Sequence, residues 1–182
     1  KDGWYFMSIA RPNRGKDFEE EIRNCFEIIP SVSIDRLPDP MSGYSGVRNI
    51  CDFHVFQAPH DFYIECKCLY GNTLNYKSAI RPNQWEGMKE KSKIPHCVAG
   101  VVVWYIDYDV TTFVNITDLL EHRKTHKSLK INEITGNEAI PHFLVDGVKK
   151  RVMFKYLGED FLFKLHKLSN TVWGEYKPWK LK

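Results

Sequence analysis

Between Ile50 and Lys67 apolar and polar residues alternate with a period of two, and no other stretch constrains the chain as much. Successive side chains of a strand point to opposite faces. Read as strands, this stretch sends Cys51, Phe53 and Val55 one way and Asp52 and His54 the other. Further on, Phe62, Ile64, Cys66 and Cys68 share an apolar face, which forces Glu65 and Lys67 together onto the opposite one. The expectation is a hairpin with two carboxylates and an ammonium group along one side.

That grouping has a chemistry. Oxygen ligands suit Mg²⁺, with Mn²⁺ as a substitute, and such ions bind through few carboxylates plus phosphate and water. A lysine beside them can orient an attacking water or stabilise charge on a phosphate. An Asp followed roughly a dozen residues later by Glu-x-Lys is the pattern of metal-dependent nucleases with a restriction-endonuclease-like fold. Taken alone it also fits a solvated strand face, where acidic and basic residues commonly alternate.

Three more segments accompany it. Asn13-Arg14-Gly15-Lys16-Asp17-Phe18-Glu19-Glu20-Glu21, the Asp52 strand, Glu65-Cys66-Lys67 and Asn83-Gln84-Trp85-Glu86-Gly87-Met88 follow one another in the order and spacing of RecU-type Holliday junction resolvases. The chain resembles that family from about Asn13 to about Leu168. Its members are dimeric, Mg²⁺-dependent nucleases of Gram-positive bacteria and their phages. The resemblance implies an α/β fold, with a restriction-endonuclease-like core in which helices flank a mixed central sheet. It adds Glu19 to Asp52 and Glu65 as metal-binding carboxylates, makes Lys67 catalytic and places Gln84 at the catalytic rim. It also implies a homodimer that nicks four-way DNA junctions symmetrically. The chain departs from the family at Pro38–Gly46, where RecU proteins insert a long basic stalk. Here the loop is short, with only Arg36 and Arg48 beside it. A structure-tolerant phage endonuclease that cuts forks, flaps or duplex therefore stays an alternative, as does a non-catalytic module that only holds branched DNA.

The whole chain reads as one domain of 182 residues, 43% of them hydrophobic, enough for a sizeable core. Phe18, Ile22, Cys25, Phe26 and Ile29 recur at helical spacing and predict a helix from Arg14 that ends before Pro30. Ser31 to Leu37 reads as a short strand, and Leu69 to Ser78 as a loop over the site. Pro82 opens a helix through about Lys93, with Trp85 and Met88 inward. The apolar run Val98 to Ile106 reads as a central strand buried on both faces, with Thr111 to Ile116 as its hairpin partner. Thr117-Asp118 is expected to cap a helix through Lys124. Asp146-Gly147 suits a type I′ turn between Phe143–Val145 and Val148–Tyr156, and Glu159 to Leu168 closes the fold as a helix.

A net charge of +3 permits nucleic acid without demanding it, so the placement of charge matters more than the sum. Candidate DNA contacts are Arg14, Arg36, Arg48, Tyr76 and Lys77, then Arg123, Lys124 and Lys127 in the densest basic stretch, then Lys149, Lys150 and Arg151. The ordinary explanation for each is a solvated face. Aromatic and basic residues also mark an arm over residues 1–13 and a tail over 169–182 that carries Trp173, Tyr176, Lys177, Trp179 and Lys180.

Five scattered cysteines do not form a disulfide framework; buried reduced thiols are expected, and with them a cytoplasmic setting. A zinc site built from Cys51, Cys66, Cys68, His54 and His60 is not expected, because strand parity separates the cysteines from His54. No run of eighteen apolar residues and no signal peptide is visible, so no membrane span is expected. The chain opens on Lys1 rather than Met, as a fragment or processed product would.

Overall fold

A computed structural model describes residues 13–37, 49–136 and 139–177. The arm ahead of Asn13, the loop with Arg48, and Trp179 and Lys180 of the tail lie outside the described residues.

The chain opens with helix α1 (Gly15–Glu27), which buries Phe18, Ile22, Cys25 and Phe26 on one stripe, as their spacing predicts. Strands β1 (Ser33–Arg36), β2 (Phe53–Gln57) and β3 (His60–Leu69) follow. After them come β4 (Thr73–Asn75), a short helix α2 (Tyr76–Ala79) and helix α3 (Pro82–Lys91). The chain continues through β5 (Cys97–Tyr105), β6 (Val110–Asn115), α4 (Ile116–His122), β7 (Ser128–Lys130) and α5 (Asn132–Thr135). It closes with β8 (Phe143–Leu144), β9 (Gly147–Lys150), β10 (Met153–Tyr156) and α6 (Gly158–Trp173).

Six strands form one sheet in the order β1-β2-β3-β5-β6-β8. All its pairings are antiparallel except β3 with β5, so the sheet is mixed and helices flank it. Parallel neighbours need a crossover, and this one runs through α3. Every residue of β5 is buried, because the strand sits mid-sheet with both faces covered. On one side Phe53, Phe62, Ile64 and Trp104 pack with Phe18 and Ile22 of α1 and Phe161 of α6. On the other, Val101, Val103 and Tyr105 pack with Trp85 and Met88 of α3, Leu119 of α4 and Leu129 of β7. Each buried side chain of this size stabilises the fold by about 1.5–3 kcal/mol. Among the described residues no helix is long and apolar enough to cross a membrane, and all five cysteines are free thiols.

Five sequence expectations need correction, the first being the end of the closing helix: it does not give way to a tail after Leu168 but runs on to Trp173, whose indole N–H donates to the Cys97 carbonyl. Cys51 does not share a face with Phe53 and Val55: it joins the α3-side cluster, since pairing of β2 with β3 starts at Phe53 and the chain bends at Asp52. The stretch Leu69 to Ser78 is not simply a loop, because β3 runs on to Leu69 and Asn75 then caps α2, accepting the N–H groups of Lys77 and Ser78. The cap of α4 is Asn115, whose side chain accepts the Thr117 N–H, and not Thr117-Asp118. Asp146-Gly147 is not a hairpin turn. β8 is already paired with β6, so β9 folds back on β10 instead, with Arg151 and Val152 between the Lys150 and Met153 partners and Arg151 at a φ of 56°.

Candidate active site

Glu65 sits in β3 between β2 and β5, on the face turned toward α3, and its side chain is 1% exposed. Parity delivers Lys67 to the same face, and its Nζ pairs with Glu65 Oε1. Helix α3 supplies the other partner of that oxygen: Gln84 Nε2 donates to Glu65 Oε1 at 2.7 Å. The amide cannot turn over, because its own Oε1 accepts the Arg81 backbone N–H at 3.0 Å. Glu65 Oε2 is buried and finds no hydrogen-bond partner among the described residues. Asp52 completes the group from the start of the hairpin, its Oδ2 accepting the Cys66 backbone N–H at 2.7 Å. The carboxylate of Asp52 is thus tied to the strand between Glu65 and Lys67.

The electrostatics follow from that packing. Burial, and then the charge of Asp52, push the Glu65 carboxyl up to about 7, against the opposing pull of Lys67 and of the Gln84 hydrogen bond. A buried carboxyl with one orphaned oxygen, next to a second carboxylate, is a place where added positive charge is strongly favourable. A divalent cation of the Mg²⁺ class fits this donor set: hard oxygens, few of them, and an oxygen still lacking a partner. Cys66 lies among the same charges. Its thiol is pushed well above the ordinary range by burial and then by Asp52, Glu65 and Glu19, with Lys67 opposing.

Glu19 comes from the other helix layer. Its helix packs against the Cys66 face of the sheet, and Arg36 Nη2 donates to Glu19 Oε2 at 3.2 Å. The two residues line a cleft with Lys16, Glu20, Arg23 and Phe53. The structure therefore brings Asp52, Glu65, Lys67 and Gln84 together, and holds Glu19 across the strand with Arg36 at the sheet edge.

The basic candidates separate into two patches. On the α3 side, the Tyr76 N–H donates to the Lys127 carbonyl, which draws Lys77 and Lys127 together, and the Arg123 guanidinium lies 4.6 Å from the centre of the Trp85 ring. Lys124 in this patch pairs with Glu121. On the α1 side, hairpin β9–β10 carries Lys149, paired with Asp109, together with Lys150 and Arg151. Arg14 pairs with Asp17 at 3.2 Å. Tyr76 is not available for a base or phosphate: its ring is 2% exposed and its hydroxyl is bonded to His122 Nδ1 at 2.7 Å. The anchors that sequence reasoning missed are main-chain groups, the N–H of Cys66 and of Arg81, which no side-chain pattern encodes.

No protein-family model matches the chain, and no curated protein matches it. Among solved structures it is similar to Hjc of Archaeoglobus fulgidus, a Holliday junction resolvase from an archaeal hyperthermophile. The two are 16% identical, the match covers 66% of this chain and 96% of Hjc, and the TM-score is 0.40. The reading of the site accordingly rests on its own geometry.

Proposed function

We propose that the chain is a divalent-metal-dependent DNA endonuclease, acting on branched DNA and by preference on four-way junctions, with a homodimer as the working form. The observation that carries the reading is the buried Glu65 carboxyl, with Oε1 held by Lys67 and Gln84 and Oε2 left without a partner beside Asp52. A purely DNA-binding surface has no use for acidic groups that face phosphate.

In this reading Asp52 and Glu65 hold Mg²⁺, or Mn²⁺ in its place, and Glu19 would join them as a third carboxylate only on leaving its pair with Arg36. Bound there, the ion supplies Lewis-acid charge at the scissile phosphate and makes water a better nucleophile. Gln84 keeps Glu65 in position through a fixed amide. Lys67, 24% exposed at the outer side of the site, positions the water or the phosphate. The product carries a 5′-phosphate. A two-fold dimer matches the two-fold related strands of a junction, which accounts for paired symmetric nicks. The exposed Lys77, Arg123 and Lys127, on the side of α3, hold the phosphate backbone.

The test is cleavage of a mobile four-way junction and a linear duplex, with and without Mg²⁺, by the unaltered protein and by Asp52→Asn. Cutting of the junction that needs both Mg²⁺ and Asp52, with junction binding preserved in the variant, is expected. Undiminished cutting by Asp52→Asn would remove the site assignment. Equal rates on the linear duplex would remove the junction preference and favour the structure-tolerant nuclease.

A further inference from the structure

The end of α4, the turn after it and α5 meet at a point that the nuclease reading does not use. His122 Nε2 lies 3.4 Å and His126 Nε2 3.9 Å from Glu133 Oε1, and the three ligand atoms all fall within 4.8 Å of one another. The two imidazoles stack at 4.1 Å with their planes 10° apart, so both present the same edge to the carboxylate. The other polar atom of each side chain is already engaged. His122 Nδ1 bonds the buried Tyr76 hydroxyl at 2.7 Å. His126 Nδ1 lies 2.8 Å from Thr125 Oγ1 and 3.3 Å from the His122 carbonyl, which can only accept. Glu133 Oε2 accepts the Lys130 N–H at 2.6 Å.

A ring whose Nδ1–H is committed to an oxygen carries its lone pair on Nε2. With the Tyr76 hydroxyl accepting from His122 Nδ1, two such lone pairs and a carboxylate oxygen converge as three acceptors, and one cation between them satisfies all three. Protonating both stacked rings would set like charges face to face. A single metal ion avoids that, and the partners of the Nδ1 atoms are the kind that orient metal-bound histidines.

We propose that His122, His126 and Glu133 form a site for one borderline transition-metal ion of the Zn²⁺ class, distinct from the oxygen-lined Asp52–Glu65 site. Ligand atoms around tetrahedral Zn²⁺ stand about 3.4 Å apart, which the His122–Glu133 pair already meets. The half-exposed His126 side chain needs only a small rotation to follow. The remaining coordination position faces a cleft also lined by Asp118, Glu121 and Asn132. A bound ion would cross-link α4 to α5 and so fix the intervening segment that carries Arg123, Lys124 and Lys127.

The experiment is calorimetric titration of the full, untagged, chelator-treated chain with Zn²⁺ in excess Mg²⁺, repeated with Co²⁺ for its visible spectrum. The unaltered protein and Asp52→Asn are expected to take up one Zn²⁺ per chain and to melt at a higher temperature with it. His126→Ala and Glu133→Gln are expected to bind at least about a hundredfold more weakly and to lose the thermal shift. Glu133→Gln retains an oxygen for the Lys130 N–H, so its fold is preserved. Zn²⁺ uptake unchanged in both variants, uptake lost in Asp52→Asn instead, or no uptake by the unaltered chain would each overturn the proposal.

Discussion

The two faces of β3 bury chemically opposite side chains. Toward α1 and α6 it presents Phe62 and Ile64, both 0% exposed, and there burial itself is the stabilising contribution. Toward α3 it presents Glu65, also 0% exposed, and there burial is a cost that Lys67 and Gln84 offset. The contrast teaches that stability and reactivity are sorted here by strand parity within one ten-residue element. A register slip of one residue would exchange them.

The strongest way to break this contrast is Glu65→Gln. Mg²⁺-dependent cleavage should fall at least about a thousandfold, while the thermal midpoint of the metal-free chain at pH 8 holds or rises, because the amide carries no charge to bury. Parallel loss of both would mean that the faces are not separate. The complementary variant is Ile64→Ala, which should cost about 2–5 kcal/mol of stability in denaturant unfolding. Cleavage per folded molecule should stay near normal; its collapse would tie chemistry to the apolar face.

Proton linkage sharpens the picture further. Glu65 in the fold holds its proton up to about 7, above the ordinary glutamate range. The metal-free fold is therefore favoured by this group in acid and loses that contribution as pH rises toward 7. Cleavage at limiting Mg²⁺ should run the other way and climb through the same interval, with its midpoint moving to lower pH as Mg²⁺ is raised. A profile insensitive to Mg²⁺ would contradict the assignment. Gln84→Leu should weaken Mg²⁺ binding by about 10–100-fold and be rescued by excess Mg²⁺, as read from cleavage against metal concentration. The smallest effect is expected from Tyr76→Phe: about 1 kcal/mol of stability and unaltered DNA affinity, since the hydroxyl faces His122 and not solvent.

Much of this was legible in the residues. Period-two alternation placed Glu65 and Lys67 on one face and Phe62, Ile64 and Cys66 on the other, and the unbroken apolar run from Val98 marked the central strand. Parity failed at Cys51, where a bend at Asp52 resets it, a main-chain event with no signature in side-chain pattern. The Asp146-Gly147 turn failed because turn propensity is local whereas the pairing of β8 with β6 is not. Gln84, on sequence a surface glutamine raised to candidacy by resemblance alone, is 5% exposed. Its burial depends on where the crossover drops α3, which composition does not record.

Gly87, one turn beyond Gln84, lies so close to the segment leading into Asp52 that a Cβ would stand 2.1 Å from Ile50 Cγ2. A single methyl group would act as a wedge, prising the helix that steadies one carboxylate away from the strand entry that carries the other. The approach of α3 to that strand entry thus depends on the absence of a side chain, and Gly87→Ala would alter it without touching any charged atom.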